Sequence, residues 1–155
     1  MLAGFEAVIV DNRAQFASRE RFPDAAEVYA EEYDEVFPKL AIRDTSYIVI
    51  VTRGHRDDMR VLRHAAATPA RYIAMIGSKR KVIGVVKELE KDGIPADVFD
   101  RLFAPMGFEI GAITPEEIAI AVVAEMIAVR RNAGSEWRAL SKSIFVNESP
   151  RVSPK

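Results

Sequence analysis

Residues 70–90 read ARYIAMIGSKRKVIGVVKELE, and this stretch decides the fold class. Tyr72 to Ile76 is a short apolar run of the buried-strand kind. Gly77-Ser78 turns the chain, and a helix begins with Lys79, Arg80 and Lys81. Cations are the wrong charge for a helix N-terminus, where the macrodipole already presents partial positive charge. Three of them make sense if an anion binds there. Free backbone N–H groups, the Ser78 hydroxyl and basic side chains would then converge on a phosphate or carboxylate. The plainer alternative is an exposed helix start whose long side chains point into water.

Upstream, Tyr47 to Thr52 (YIVIVT) is the clearest strand: β-branched, apolar and short. It runs into the polar loop Arg53-Gly54-His55-Arg56-Asp57-Asp58, where Asp57 suits the N-cap of a helix over 58–67. Ligands of open α/β sheets bind outside the carboxyl ends of the strands, so this loop and Gly77-Ser78 are expected to face one crevice. His55 is placed to donate to a ligand or to act as an acid or base; as a loop histidine it is equally served by water or backbone. Further back, Gly4 resembles the C-cap of a preceding helix, so the chain reads as opening on that helix's last turn. Phe5 to Val10 is expected to be a buried strand ending at Asp11-Asn12-Arg13. An acid at that place suits a ribose hydroxyl or simply a turn. Residues 14–25 look irregular, Glu27 to Ala30 reads as a short strand, and Pro38 cuts short a helix begun at Tyr33.

Downstream, Thr68-Pro69 ends one helix and Asp92-Gly93 the next. Pro95 to Leu102 suggests a short helix, and Ala104 to Gly111 an ordered loop. Thr114-Pro115-Glu116-Glu117 is a strong helix start, with Thr as N-cap, Pro at the first position and Glu at the third. The helix from Pro115 to Arg131 is apolar on nearly every face, which implies burial on most sides. Glu125 interrupts it and must be paired or neutralised: by an arginine in a structural ion pair, or by facing a ligand or an interface. Asn132 to Gly134 cap the helix. Residues 135–155 form a polar tail whose Trp137 and Ile144-Phe145-Val146 are expected to dock on this or another subunit, or which frays.

The alternation of strands and helices predicts an α/β fold: a Rossmann-like three-layer arrangement with a mainly parallel sheet. With 155 residues, 49% of them hydrophobic and 29% charged, the chain is long enough for one domain with a real core. A net charge of -1 argues against nucleic acid as partner. The absence of cysteine removes thiol chemistry and fits a reducing cytoplasm, and the presence of only two histidines makes a protein-built transition-metal site unexpected. No apolar run is long enough for an obligatory membrane span.

One part of the dinucleotide-binding pattern is missing. No G-x-G-x-x-G turn occurs, and Asp11 has no room for one upstream. What is present resembles a different family. Thr52-Arg53-Gly54-His55 with Asp57, the run from Tyr72 to Lys81, Pro105 to Ala112, and Thr114 to Ala119 continuing to Ala124-Glu125 together resemble the C-terminal Rossmann-like domain of the XdhC/CoxI family. Asp11-Asn12-Arg13 followed by Arg21-Phe22-Pro23 is similar to it as well. The resemblance runs from Gly4 to about Arg131, giving a domain over 1–134 and a tail over 135–155.

The family comprises accessory proteins of xanthine dehydrogenase and related molybdenum hydroxylases. The resemblance therefore implies a cofactor chaperone without turnover. It would bind molybdenum cofactor (molybdopterin) as cargo, protect it during sulfuration and deliver it to the apo-hydroxylase. The implied partners are that hydroxylase apoenzyme and a cysteine desulfurase-type sulfurtransferase. The expected cofactor-binding residues are Asp11, Arg13, Thr52, His55, Asp57, Gly77, Ser78, Lys79, Arg80, Lys81, Pro105 and Gly107, with no catalytic residue and no metal ligand. Two departures stand out: Ala121 occupies a position where the family usually has Ser, and the N-terminal domain and first glycine-rich strand-turn are absent. The fold is thus expected to be incomplete on its N-terminal side. A homo-oligomer, or a separate N-terminal XdhC polypeptide supplying the strand, would cover the open edge. The alternative is an NAD(P)-dependent oxidoreductase with Asp11 on the adenosine ribose and His55 as acid/base; a third reading is a scaffold that only docks a hydroxylase or a sulfurtransferase.

Overall fold

The computed structural model describes residues 3–146. The chain divides into two compact units, Met1–Ile42 and Arg43–Lys155.

The first unit contains two parallel strands, β1 (Val8–Val10) and β2 (Glu27–Tyr29), in register Val8 to Glu27. A single turn of helix, α1 (Tyr33–Val36), follows and continues as a 3-10 turn over Phe37–Lys39, where Pro38 stops regular hydrogen bonding. The expectation of a buried strand over Phe5 to Val10 needs correction. Only three residues are strand, and Val8 is 45% exposed. A two-stranded ribbon has no neighbours to bury both of its faces.

The second unit contains the main sheet, in order β3–β4–β5 and parallel throughout. Its strands are β3 (Tyr47–Ile50), β4 (Tyr72–Met75) and β5 (Leu102–Phe103). β4 is central and fully buried, as a parallel strand covered on both faces must be. Helices α2 (His55–Ala66) and α3 (Lys79–Lys91) pack together, α2 also lying against β3 and β4. Val61, Leu62, Ala65, Val82, Val85 and Leu89 form the buried stripes of these two helices. On the face carrying Tyr72, Ala74 and Phe103, helix α4 (Pro115–Arg131) contributes Val122 to the core. Three layers result. The β3–β4–β5 order by itself matches the 4-5-6 run of a dinucleotide-binding sheet. Among the described residues β1 and β3 each pair on one side only.

Three local expectations differ from what is observed. The N-cap of α2 is Gly54, and Asp57 lies inside the first turn. The segment 95–102 forms 3-10 turns over Ala96–Arg101 and then the strand β5. Helix α4 buries only Ala121, Val122, Glu125 and Ala128, while Ile120 stays 65% exposed. The run of apolar side chains around α4 exceeds what its own unit can cover.

Residues 136–146 return along the outer edge of β5. Ser143 Oγ donates to Leu102 O at 3.2 Å and accepts from Ala104 N–H at 3.1 Å. Ile144 N–H donates to Ala104 O at 3.0 Å and Lys142 N–H to Gly107 O at 2.9 Å. Trp137 packs beside Phe103 and Phe108, with both ring centroids 6.2 Å away. Of the expected docking residues, Val146 is buried in the core; the tail beyond it lies outside the described residues. No helix among the described residues is long and apolar enough to cross a membrane.

Candidate functional site at the strand ends

The sequence places its candidate residues at three locations, and the structure treats each differently. Asp11 and Arg13 follow β1. Arg13 Nε donates to Asp11 Oδ1 at 2.8 Å and its Nη2 to Oδ2 at 2.7 Å, a fork that takes up both carboxylate oxygens. The same guanidinium lies 3.9 Å over the Phe16 ring. The pair is therefore engaged internally.

The second location is the carboxyl ends of β3 and β4. These strands are neighbours, with Ile50 level with Met75, so the turns that follow them emerge side by side, about 5 Å apart. After β3 come Thr52, Arg53 and Gly54, then His55 as first residue of α2; after β4 come Gly77 and Ser78, then Lys79 as first residue of α3. Ser78 is the N-cap of α3, its Oγ accepting from Lys81 N–H at 3.2 Å. That leaves earlier N–H groups of the helix without an intrahelical acceptor. His55 is exposed, and its Cε1 stands 3.7 Å from the place a Cβ on Gly84 would occupy, so the imidazole leans over the second turn of α3.

Beneath this rim sits a carboxylate that the motif reading passed over. Asp58 is wholly buried. Thr52 Oγ1 donates to its Oδ1 at 2.6 Å, and Lys81 Nζ lies 2.5 Å from its Oδ2. Asp58 shares the stripe of Val61, Leu62 and Ala65, a spacing that reveals its burial in the sequence itself. Lys81 and Thr52 thus hold this acid in place of an external ligand. Gly77 accommodates the arrangement: an added Cβ would sit 3.0 Å from Lys81 Cδ. With Lys81 engaged, the exposed cations of the rim are Arg53, Arg56, Lys79 and Arg80. None of these four has an ion-pair partner among the described residues. Arg53 and Arg56 extend the cationic set beyond the one expected from the central turn. Asp57, half-buried in the first turn of α2, is the acid among them.

The third location, Pro105 and Gly107, is structural in its contacts. Both are buried on the loop that leaves β5 and crosses the end of β4, where Met106 N–H donates to Met75 O at 3.1 Å. Gly107 has φ +92°, and a Cβ there would lie 3.3 Å from the backbone N of Val122 in α4. Its N–H donates to Glu125 Oε2 at 2.9 Å. The same oxygen accepts from Tyr72 Oη at 2.6 Å, and Oε1 accepts from Ser141 Oγ at 2.5 Å. Glu125 is completely buried and has three neutral donors. Among the described residues no arginine pairs with it, so the ion-pair alternative is not what satisfies it there. Burial first, then the Glu125 charge and hydrogen bond, push the Tyr72 phenol far above its ordinary range, so it stays a donor.

The family model of the XdhC Rossmann domain matches residues 1–126. The chain belongs to this family. Within the XdhC Rossmann domain match fall all three locations and Glu125, whereas Ser141 and Ser143 lie beyond it. A relative from Escherichia coli K12, the uncharacterized protein YqeB, is 32% identical over 133 residues, which are 85% of this chain and 24% of that protein. A relative from Bacillus subtilis 168, named as a probable subunit of xanthine dehydrogenase, is 27% identical over 128 residues, 83% of this chain and 37% of the relative. A crystal structure of a xanthine dehydrogenase from Bacillus halodurans superposes with a TM-score of 0.74 at 31% identity, covering 84% of this chain and 38% of that one. The chain thus spans between about a quarter and two-fifths of the length of these relatives.

Proposed function

We propose that this chain is the cofactor-handling domain of an accessory protein for a molybdenum hydroxylase such as xanthine dehydrogenase. It would hold molybdenum cofactor by its phosphate for sulfuration and insertion. Family membership and the names of the relatives support the hydroxylase connection. The observation that carries the cargo reading is the rim: four exposed cations, without ion-pair partners among the described residues, beside the Ser78-capped start of α3. Arg53 and Arg80 would grip phosphate oxygens, and N–H groups at the start of α3 would complete the cradle. Lys81 acts from below, keeping Asp58 neutralised so that the rim stays positive. The donor set suits a phosphate whether the pterin carries it alone or within a dinucleotide. A sulfurtransferase and the apo-hydroxylase are the partners such a carrier requires, in the cytoplasm. The internally paired Asp11 gives no support to ribose binding by a nicotinamide enzyme.

The test is an equilibrium titration with molybdopterin and, separately, with NADP, on the wild type and on Arg53→Ala/Arg80→Ala. Circular dichroism checks the fold of each. Pterin binding that weakens at least about tenfold in the double variant, and falls with added salt, is the expected result. Binding of NADP alone, or pterin binding indifferent to both arginines, refutes the reading.

A further inference from the structure

Helix α4 has two apolar faces, and only one is used by its own unit. Ala121, Val122, Glu125 and Ala128 point inward. At 100° per residue, Glu116, Ile120, Val123, Ile127 and Arg131 form a stripe on the opposite side. Ile120 in this stripe is 65% exposed, and Val123, Ala124 and Ile127 are half-buried. Ile113, 85% exposed just before the cap, extends the apolar surface. The stripe is bounded by opposite charges. Glu116 stands exposed at the N-terminal end and Arg131 at the C-terminal end, and neither has a partner among the described residues.

A stripe with an acid at one end, a base at the other and apolar residues between is complementary to itself when inverted. We infer that this face of α4 pairs with α4 of a second copy of the chain, antiparallel about a two-fold axis. Two-fold pairing makes every contact twice. Glu116 meets Arg131 of the second copy at both ends, Ile120 packs on Ile127 of the second copy, and Val123 and Ala124 lie at the axis. Small side chains at the axis permit the 8–10 Å approach of packed helices. A helix of 17 residues is about 25 Å long, so the contact falls at the small end of specific interfaces. The dimer is accordingly expected to depend on concentration.

Sedimentation velocity on the full chain across a concentration series tests this through charge reversal. Glu116→Arg places two arginines together at each end of the interface and weakens dimerisation about tenfold. Glu116→Arg/Arg131→Glu restores the opposition and the wild-type equilibrium. Ile120→Lys abolishes the dimer; because the charge variants lie at exposed positions, the test survives if that variant misfolds. The proposal is overturned by a wild type that stays monomeric at every concentration. It is equally overturned by a dimer that Glu116→Arg leaves intact, or one that the double reversal fails to restore.

Discussion

At the scale of single residues, two buried carboxylates organise the second unit, and they differ in how they are satisfied. Asp58 is neutralised by a cation, Lys81; Glu125 is held by three neutral donors. Removing one member of a buried ion pair strands the other charge. Lys81→Met is expected to lower stability by about 3–5 kcal/mol, and adding Asp58→Asn to recover much of it; urea unfolding measures both. For Glu125, glutamine keeps an acceptor for Tyr72 and Gly107, so Glu125→Gln should cost about 1 kcal/mol. Glu125→Ala strands three polar groups and should cost about 3–5 kcal/mol. Glu117 offers a pH handle. Hydrogen bonds from the backbone N–H groups of Ile113 and Thr114 lower its carboxyl below the usual range. Its folded value lies under the unfolded one, so the cap is complete above the ordinary carboxylate range and is lost as pH falls through the lower value. The protection of the Ile113 and Thr114 amides, measured against their intrinsic exchange rate at each pH, should fall over that acid window.

At the scale of elements, what depends on neighbours in sequence was legible and what depends on distant chain was not. The capping box of Thr114 and Glu117 formed as read, because both partners sit within one turn. Strands β3 and β4 and the start of α3 followed from their apolar runs and from Gly77-Ser78. The partners of Glu125 were not legible: Tyr72 and Gly107 lie inside quoted motifs that give no sign of meeting it, Ser141 carries none, and only tertiary packing brings the three together. Helix α2 began three residues before the expected start because Gly54 caps it despite lacking a side chain. For the candidate site, the two loops expected to face one crevice follow adjacent strands, while Lys81, expected to face a ligand, is paired with the buried Asp58. The loop after β5 permits one sharp prediction. Gly107→Ala must adopt a positive φ and push against the backbone of α4, so it should lower the melting temperature by an amount equivalent to about 1–3 kcal/mol.

At the scale of the molecule, the two units are unequally endowed. Among the described residues of the first unit, the buried hydrophobics are Ala17, Ala25, Tyr33 and Val36. The second contains the whole three-layer core. Local opening free energy follows buried apolar contact. Hydrogen exchange should therefore show the amides of β4 protected close to the global limit and those of β1 and β2 exchanging orders of magnitude sooner; equal protection would contradict the assignment of two units. The sheet of the second unit is also asymmetric. The segment 136–146 covers the edge of β5, while Val49 in β3 and Val51 just after it stay exposed at 39% and 63%. An α/β class and parallel order could be read from the alternating pattern. The division into two sheets could not, because strand pairing is decided by long-range contacts that local sequence does not encode.

The donors around Glu125 reach it from both directions along the chain, and that fixes an order of events during translation. Tyr72 precedes it by 53 residues and Gly107 by 18, while Ser141 follows by 16. At ribosomal speed the last donor emerges about 1–3 s after the acid it must satisfy. A nascent chain that has released α4 but not Ser141 therefore carries a carboxylate it cannot bury fully paired. Closure of the core must wait for the segment that arrives last. Ribosome-bound chains arrested with α4 outside the ribosome and Ser141 still inside it should be cleaved by protease readily, and chains arrested far enough on to free Val146 should resist.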